Sequence, residues 1–229
     1  MSVGTKLLEA KVAEIYRNRF PQAVLQRRQE VWRVLCGEWF SRYVPASARV
    51  LEIAPGYCEF INNIQAAERV GIDLNPDTSR RAAPGVTIYQ GAAEDLADLL
   101  PAHHFDVAFM SNFLEHCRTR EQILDVLKAA RSVLKIGGKV LILGPNFRHC
   151  VGDYYDYFDH HLPLTDRSVA ESLQLAGFEI EAIFPRTLPF TFRSHLPSWP
   201  WLVKMYLKMP WAWRFFGAQF FLVAKNPGI

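Results

Sequence analysis

Little in this chain points to secretion, to a membrane crossing or to a fold stapled by sulfur. Four cysteines among 229 residues, at 36, 58, 117 and 150, show no metal-type spacing. In a chain with no secretory signal they are expected as free thiols. The opening MSVGTKLLEAKVAEIYRNRF lacks an apolar core and carries charges throughout, so the expected location is the cytoplasm. No run reaches 18 apolar residues without a charge, which leaves no candidate for a spanning helix. Internal repeats and low-complexity tracts are not evident either. Acid is missing from the whole tail: from Ala182 onward there is none, against six bases. The net charge of +3 is modest, and no basic stripe extends beyond that tail. Nucleic acid is therefore not an expected partner.

What is present concentrates in Val50 to Phe60, VLEIAPGYCEF. Val50 to Ile53 read as a buried parallel strand, with Glu52 its only charge. Ala54-Pro55-Gly56 makes a tight turn, and Phe60 to Ala67 continues at helical spacing. A second apolar strand, Val70-Gly71-Ile72, ends in Asp73. An acid at the tip of the second strand, about 20 residues on, suits the two hydroxyls of an adenosine ribose. A pyrophosphate is a poor match. The turn has one glycine, and Glu59 stands where phosphate would approach a helix N-terminus. Glu52 and Glu59 favour a cationic or zwitterionic adenosine compound instead.

Alternation continues along the chain. Strands are predicted near 49–53, 69–73, 86–90, 105–110 and 138–144, with helical segments near 58–67, 76–83, 92–100 and 120–135. Gly137-Gly138 reads as the left-handed end of the last of these helices. A helix near 166–176, capped by Thr165 or Asp166, leads through Gly177 to a strand near 178–184, and a final strand covers 216–226. Residues 5 to 44 are predicted as two helices, with Val31, Leu35 and Trp39 on one face and Pro45 ending the run. The pattern implies an α/β, Rossmann-like, doubly wound sheet whose ligands sit outside the carboxyl ends of the strands.

These residues resemble the class I S-adenosylmethionine-dependent methyltransferases. VLEIAPGYCEF is similar to that family's first motif, VGIDLNP to its ribose-binding turn, Gly91-Ala92-Ala93-Glu94-Asp95-Leu96 to its third signature and FDVAFMSNFLEH, Phe105 to His116, to its fourth. LKAARSVLKIGGKVLILG is similar to the family's next helix, turn and fifth strand. The resemblance covers roughly residues 45 to 185. It implies a seven-stranded sheet, mostly parallel, with an antiparallel last strand between the fifth and sixth. It also implies S-adenosyl-L-methionine as cofactor. The domain reading is an N-terminal helical cap, 1–44, and a methyltransferase domain, 45–229, with a basic aromatic helical insertion at about 186–216. GYCEFIN and YDYFDHHLPLT resemble a bacterial branch associated with polysaccharide or secondary-metabolite pathways.

The implied cofactor residues are Glu52, Ala54, Gly56 and Tyr57 in the first turn, Asp73 and Leu74 at the ribose, Ala93 and Glu94 at the adenine edge, and Asn112 beside the methionine half. An alternative reading makes Asn112 a helix cap without ligand contact. Three departures stand out. Ala54 and Cys58 occupy positions where the family usually has glycine, and Ala92 replaces an acid that in many members accepts the adenine amino group.

Methyl transfer from a sulfonium needs a positioned acceptor and removal of its proton. His116, just past the fourth strand, is the first candidate base, since an imidazole titrates near neutral pH; the alternative is a structural Glu115-His116 pair. The loop Asn146 to Leu164 holds further titratable groups, among which Asp159 with His160 or His161 would make an oriented Asp–His pair. No metal is expected. Relatives such as ubiquinone O-methyltransferases and small-RNA 2′-O-methyltransferases build a metal site from E-x-x-E-H, whereas this chain has Asn112 for the first carboxylate and Arg120 four residues past His116.

The stretch from Pro185 to Gly217 holds four of the six tryptophans, at 199, 201, 211 and 213, with Lys204 and Lys208 four apart. A basic aromatic helix there suits a lid over the acceptor, a phosphate or a lipid-linked substrate, with 199–214 touching a membrane surface; the alternative is a core-packed hairpin with solvated lysines. The expected activity is O-methylation of a small-molecule, glycan or lipid-linked acceptor with a His general base. N- or C-methylation of a natural product, and a non-catalytic binding protein of the same fold, are the alternatives.

Overall fold

The computed structural model describes residues 14, 19, 21–190 and 198–228. The first predicted N-terminal helix thus lies outside the described residues, as does 191–197 of the basic segment. In chain order the elements are α1 (Gln22–Glu38), β1 (Arg49–Ile53), β2 (Glu68–Asp73), β3 (Val86–Gln90), α2 (Leu96–Leu99), β4 (Phe105–Ser111), α3 (Arg120–Val133), β5 (Leu134–Pro145), α4 (Asp166–Leu175), β6 (Glu179–Phe184), α5 (Pro200–Leu207), α6 (Pro210–Phe216) and β7 (Gln219–Lys225). One seven-stranded sheet has the order β3-β2-β1-β4-β5-β7-β6. β1 to β5 pair in parallel, and β7 runs antiparallel between β5 and β6. The expected sheet and its antiparallel last strand are both present.

Side chains of a strand point alternately to its two faces, and this sequence fills both with apolar groups. Leu51 and Ile53 of β1, Ala108 and Met110 of β4, and Val140 and Ile142 of β5 share a core with α3 and α4. Val50, Val107, Phe109, Leu141 and Leu143 pack instead with Val31, Trp32 and Leu35 of α1, Leu207 of α5 and Trp213 of α6. Sheets buried on both faces need such continuous apolar strands. Thr119 and Thr165 start α3 and α4 as side-chain caps, Thr165 within a reciprocal box with Ser168. Gly177 follows α4 at φ +86, the left-handed stop expected there.

Three local expectations are corrected. Residues 58–67 form a run of turns rather than a regular helix. Cys58 sits at φ +58, and a left-handed residue cannot continue a right-handed helix. Only isolated turns remain, such as the five-residue turn closed by Asn62 N–H to Cys58 C=O at 3.1 Å. Nor does Gly137-Gly138 end a helix. α3 stops at Val133, and the glycines lie inside β5, in a bulge where pairing jumps from Phe105↔Leu134 to Val107↔Lys139. A Cβ on Gly138 would meet the Lys135 carbonyl oxygen at 2.9 Å, so the bulge needs glycine there. The predicted helix at 76–83 shortens to a 3-10 turn, Thr78–Arg81. All four cysteines are buried and unbonded. No described helix is long and apolar enough to cross a membrane.

Candidate functional site

The turn after β1 carries an unusual backbone. Ala54, Gly56 and Cys58 have φ of +56, +54 and +58. Two of the three therefore adopt the left-handed region with a Cβ, at a cost of about 1–2 kcal/mol each. The conformation that glycine usually supplies is kept without it. Glu52, at the end of β1, accepts the Ile61 N–H at 2.9 Å and ties strand to turn. Burial raises its pKa well above the ordinary carboxyl value, against the Ile61 hydrogen bond. Glu59 is engaged by Arg28, with Nη2 to Oε2 at 2.7 Å. The two acids expected to present negative charge to a ligand are thus respectively buried and ion-paired.

At the tip of β2, Asp73 is buried and its carboxylate accepts the N–H groups of Gly56 and Asn75, each at 2.8 Å. Burial raises its pKa, opposed by those same bonds. Two residues on, the Asn75 side chain is 2% exposed, and its Nδ2 has no partner among the described residues. Leu74 is half-buried, while Ala93 is buried in the 3-10 turn Ala93–Asp95. Glu94 accepts from Gln122 Nε2 at 2.6 Å. Asn112 follows β4 at φ +48, a region that Asn tolerates, and its Nδ2 donates to Ser111 Oγ at 2.9 Å. The residue preceding the 3-10 turn Leu114–His116 is Phe113, so Asn112 is not its cap.

The loop after β5 folds back onto that turn, with His161 N–H reaching the Glu115 carbonyl at 2.8 Å. His116 Nδ1 lies 2.9 Å from the Asp159 carbonyl oxygen and 3.3 Å from its carboxylate. A carbonyl oxygen only accepts, so Nδ1 carries the hydrogen and Nε2 keeps its lone pair. Asp159 also takes both its oxygens to Arg19 Nη2, at 2.5 and 2.6 Å. Burial works to raise the Asp159 carboxyl, but His116 and Arg19 outweigh it and hold it below the ordinary range. The hydrogen-bonded partner of Asp159 is thus His116 rather than the expected His160 or His161, although its charge still acts on His160.

His160 stands beside His116, ring centroids 4.9 Å apart, and stacks on Tyr157 at 5.0 Å. Its Nδ1 is buried with no partner among the described residues. Burial lowers the pKa of both histidines; Asp159 counters this at His116, while His116 itself helps push His160 down to about 4. Burial pushes Glu115 up to about 8. Glu115, His116 and His160 offer ligand-type atoms within 4.8 Å of one another. Glu115 and His116 are adjacent in the sequence, and the fold adds His160 from the loop after β5.

These groups border a cavity of about 440 Å³, a size suited to a small ligand. Glu52, Ala54, Gly56, Tyr57, Asn112, His116 and His160 line it, whereas Asp73, Leu74, Ala93, Glu94 and Asp159 do not. Its opposite wall is apolar and comes from Trp32 of α1 and from Leu202, Val203, Tyr206 and Trp211. Arg19 and Arg28 also line it. Neither arginine stood out in the sequence, because each meets its acid across a separation that no local pattern encodes.

Residues 51–142 match a family model described as a methyltransferase domain. No curated protein is matched by the chain. A SAM-dependent methyltransferase from Archaeoglobus fulgidus superposes with a TM-score of 0.61 at 20% identity, covering 84% of this chain and 94% of that one. One from Thermotoga maritima gives 0.63 at 18% identity, with 86% and 91% covered. The cyclase SpnF gives 0.53 at 19% identity over 79% of this chain and 75% of its own. At such identities the superpositions speak for the fold, and the cyclase among them shows that the fold alone does not choose the reaction.

Proposed function

We propose, from the premise that this chain carries a class I S-adenosylmethionine-dependent methyltransferase domain with S-adenosyl-L-methionine as cofactor, that it methylates a hydroxyl oxygen of a small-molecule, glycan or lipid-linked acceptor. The residues suit that cofactor. Asp73 has about four lone-pair sites; the N–H groups of Gly56 and Asn75 and the Thr78 side chain take three, leaving acceptor capacity for a ribose hydroxyl. Ala54, Gly56, Tyr57 and Asn112 would border the amino-acid half, with Leu74 at the ribose and Ala93 and Glu94 toward the adenine. When bound, the cofactor supplies a methyl group already activated on a sulfonium.

The chain's own task is to hold the acceptor and to take its proton. The observation that carries this reading is the 2.9 Å contact that fixes the His116 tautomer. Nε2 is left as the basic atom on a side chain that borders the cavity. Asp159 and Arg19 hold the imidazole from behind. The apolar wall keeps water from competing for the methyl group. Calorimetry with S-adenosylmethionine tests the premise, and absence of binding would leave a fold kept for assembly or binding. Labelled methyl transfer to hydroxyl and amine acceptors tests the oxygen assignment; methylated amine as the only product would overturn it.

Asp73→Ala is expected to weaken cofactor binding by about 1.5–3 kcal/mol, since hydrogen bonds to a charged acceptor are lost. The same change frees Gly56 N–H and Asn75 N–H, so the melting temperature is followed alongside. Unchanged affinity in a folded variant would remove the ribose role. Dialysis against a chelator is expected to leave activity intact. A loss restored by a divalent ion would instead make Glu115, His116 and His160 a ligand set, as imidazole and carboxylate donors allow.

A further inference from the structure

The two short helices before β7 repeat one pattern ten residues apart: Pro200-Trp201-x-x-Lys204-Met205 in α5, and Pro210-Trp211-x-x-Arg214-Phe215 in α6. Positions i, i+3 and i+4 share a helix face, and in both helices that face is turned outward. Trp201 is 61% exposed, Met205 43%, Trp211 66% and Phe215 67%. Trp199 stacks on Trp201 at 6.0 Å and is exposed too, as is Phe216. A cluster of large apolar side chains left in solvent marks an interaction surface.

The chemistry of the cluster selects the partner. Every charged side chain from Ala182 onward is positive, and Glu38 of α1 is an acid that faces Lys204 and Lys208. Lys204 is committed to Glu38 of α1 at 2.5 Å, while Lys208 and Arg214 are exposed. Tryptophans with lysine and arginine beside them are the composition of a helix lying in the headgroup region of an anionic bilayer. The inward faces of the same helices line the cavity through Leu202, Val203 and Tyr206 of α5 and Ala212 of α6. Trp211 and Phe216 belong to both surfaces, being exposed and on the cavity wall. The rim of the cavity is therefore made of the patch itself.

We propose that the outer face of α5 and α6 seats the protein on an anionic membrane surface, and that the acceptor reaches the cavity from the membrane as a lipid-linked or amphipathic molecule. The entry route rests on the methyl-transfer reading; the seating does not, and vesicle binding measures it without any reaction. The full chain is floated with vesicles of phosphatidylcholine alone or of phosphatidylcholine with phosphatidylglycerol. Binding is expected only with the anionic lipid, and to weaken as salt shortens the screening length toward about 8 Å. Lys208→Gln with Arg214→Gln should weaken it by about 20–30-fold, at about a five-fold loss per cation. Trp201→Ala with Phe215→Ala should weaken it by about ten-fold or more. None of these four residues lines the cavity, so cofactor heats and melting temperatures of the variants should match wild type. Absence of binding to anionic vesicles, or variants that bind like wild type, would overturn the seating. So would a dimer in sedimentation that the same variants dissociate, since the patch would then cover a second copy. Vesicle binding with no preference for lipid-linked over soluble acceptors would overturn the entry route alone.

Discussion

His116→Ala is expected to lower kcat by about 10²–10⁴-fold, the usual worth of a positioned general base, with cofactor affinity nearly unchanged. In the proposed reading His116 acts on the acceptor, whereas Asp73 and the left-handed turn at Ala54–Cys58 hold the cofactor. Single-turnover methyl transfer and calorimetry on the same variant separate the two effects. The pH dependence has a definite sign. A base must be neutral, and burial holds the His116 pKa below its ordinary value. kcat/KM should therefore stay level down through pH about 6.5, the unperturbed imidazole value, and fall only at lower pH. Burial pushes the neighbouring His160 down as well, to about 4. Equal loss from His160→Ala and none from His116→Ala would reassign the base.

Trp213→Ala is expected to cost about 3–5 kcal/mol of stability, the range for a large core aromatic cut to a methyl. At about 2–4 °C per kcal/mol for a domain of this size, melting should drop by roughly 6–20 °C. Trp213 is buried against Trp39, with centroids 5.7 Å apart, and lies 6.4 Å from Phe184. Its Nε1 donates to the Tyr206 carbonyl at 3.0 Å, so the cut removes a partly buried hydrogen bond as well as contact area. This side chain joins α1, α6 and β6 across one face of the sheet. Trp201→Ala, by contrast, should change stability by no more than about 0.5 kcal/mol, as exposed sites do. Thermal melts of the pair distinguish a hairpin that is core throughout from one with an inner and an outer face. Equal losses would contradict the two-faced arrangement.

Several features were legible before any coordinates. Strands β1, β4 and β5 announce themselves because residues buried on both faces of a parallel sheet must be apolar in unbroken runs. The turn after β1 was legible for a related reason: VLEIAPGYCEF and Asp73 place a tight turn and an acid at two strand ends, whereas the place of the last strand follows from the family resemblance and not from periodicity. The left-handed character of Ala54 and Cys58 was harder to read. Neither residue type favours it, and the surrounding tertiary contacts impose it. The same contacts prevented the helix expected at 58–67.

What the sequence by itself determined is the sheet, its turns and the kinds of group at the strand ends, since these depend on local periodicity and on chemistry within a few residues. Tertiary structure alone decided who meets whom. Arg19 reaches Asp159 across 140 positions, His160 comes to rest on His116, and the faces of α5 and α6 divide between cavity and solvent. Such pairings are set by how whole elements pack, and a charge or a ring carries no local mark of the distant partner that packing will bring to it.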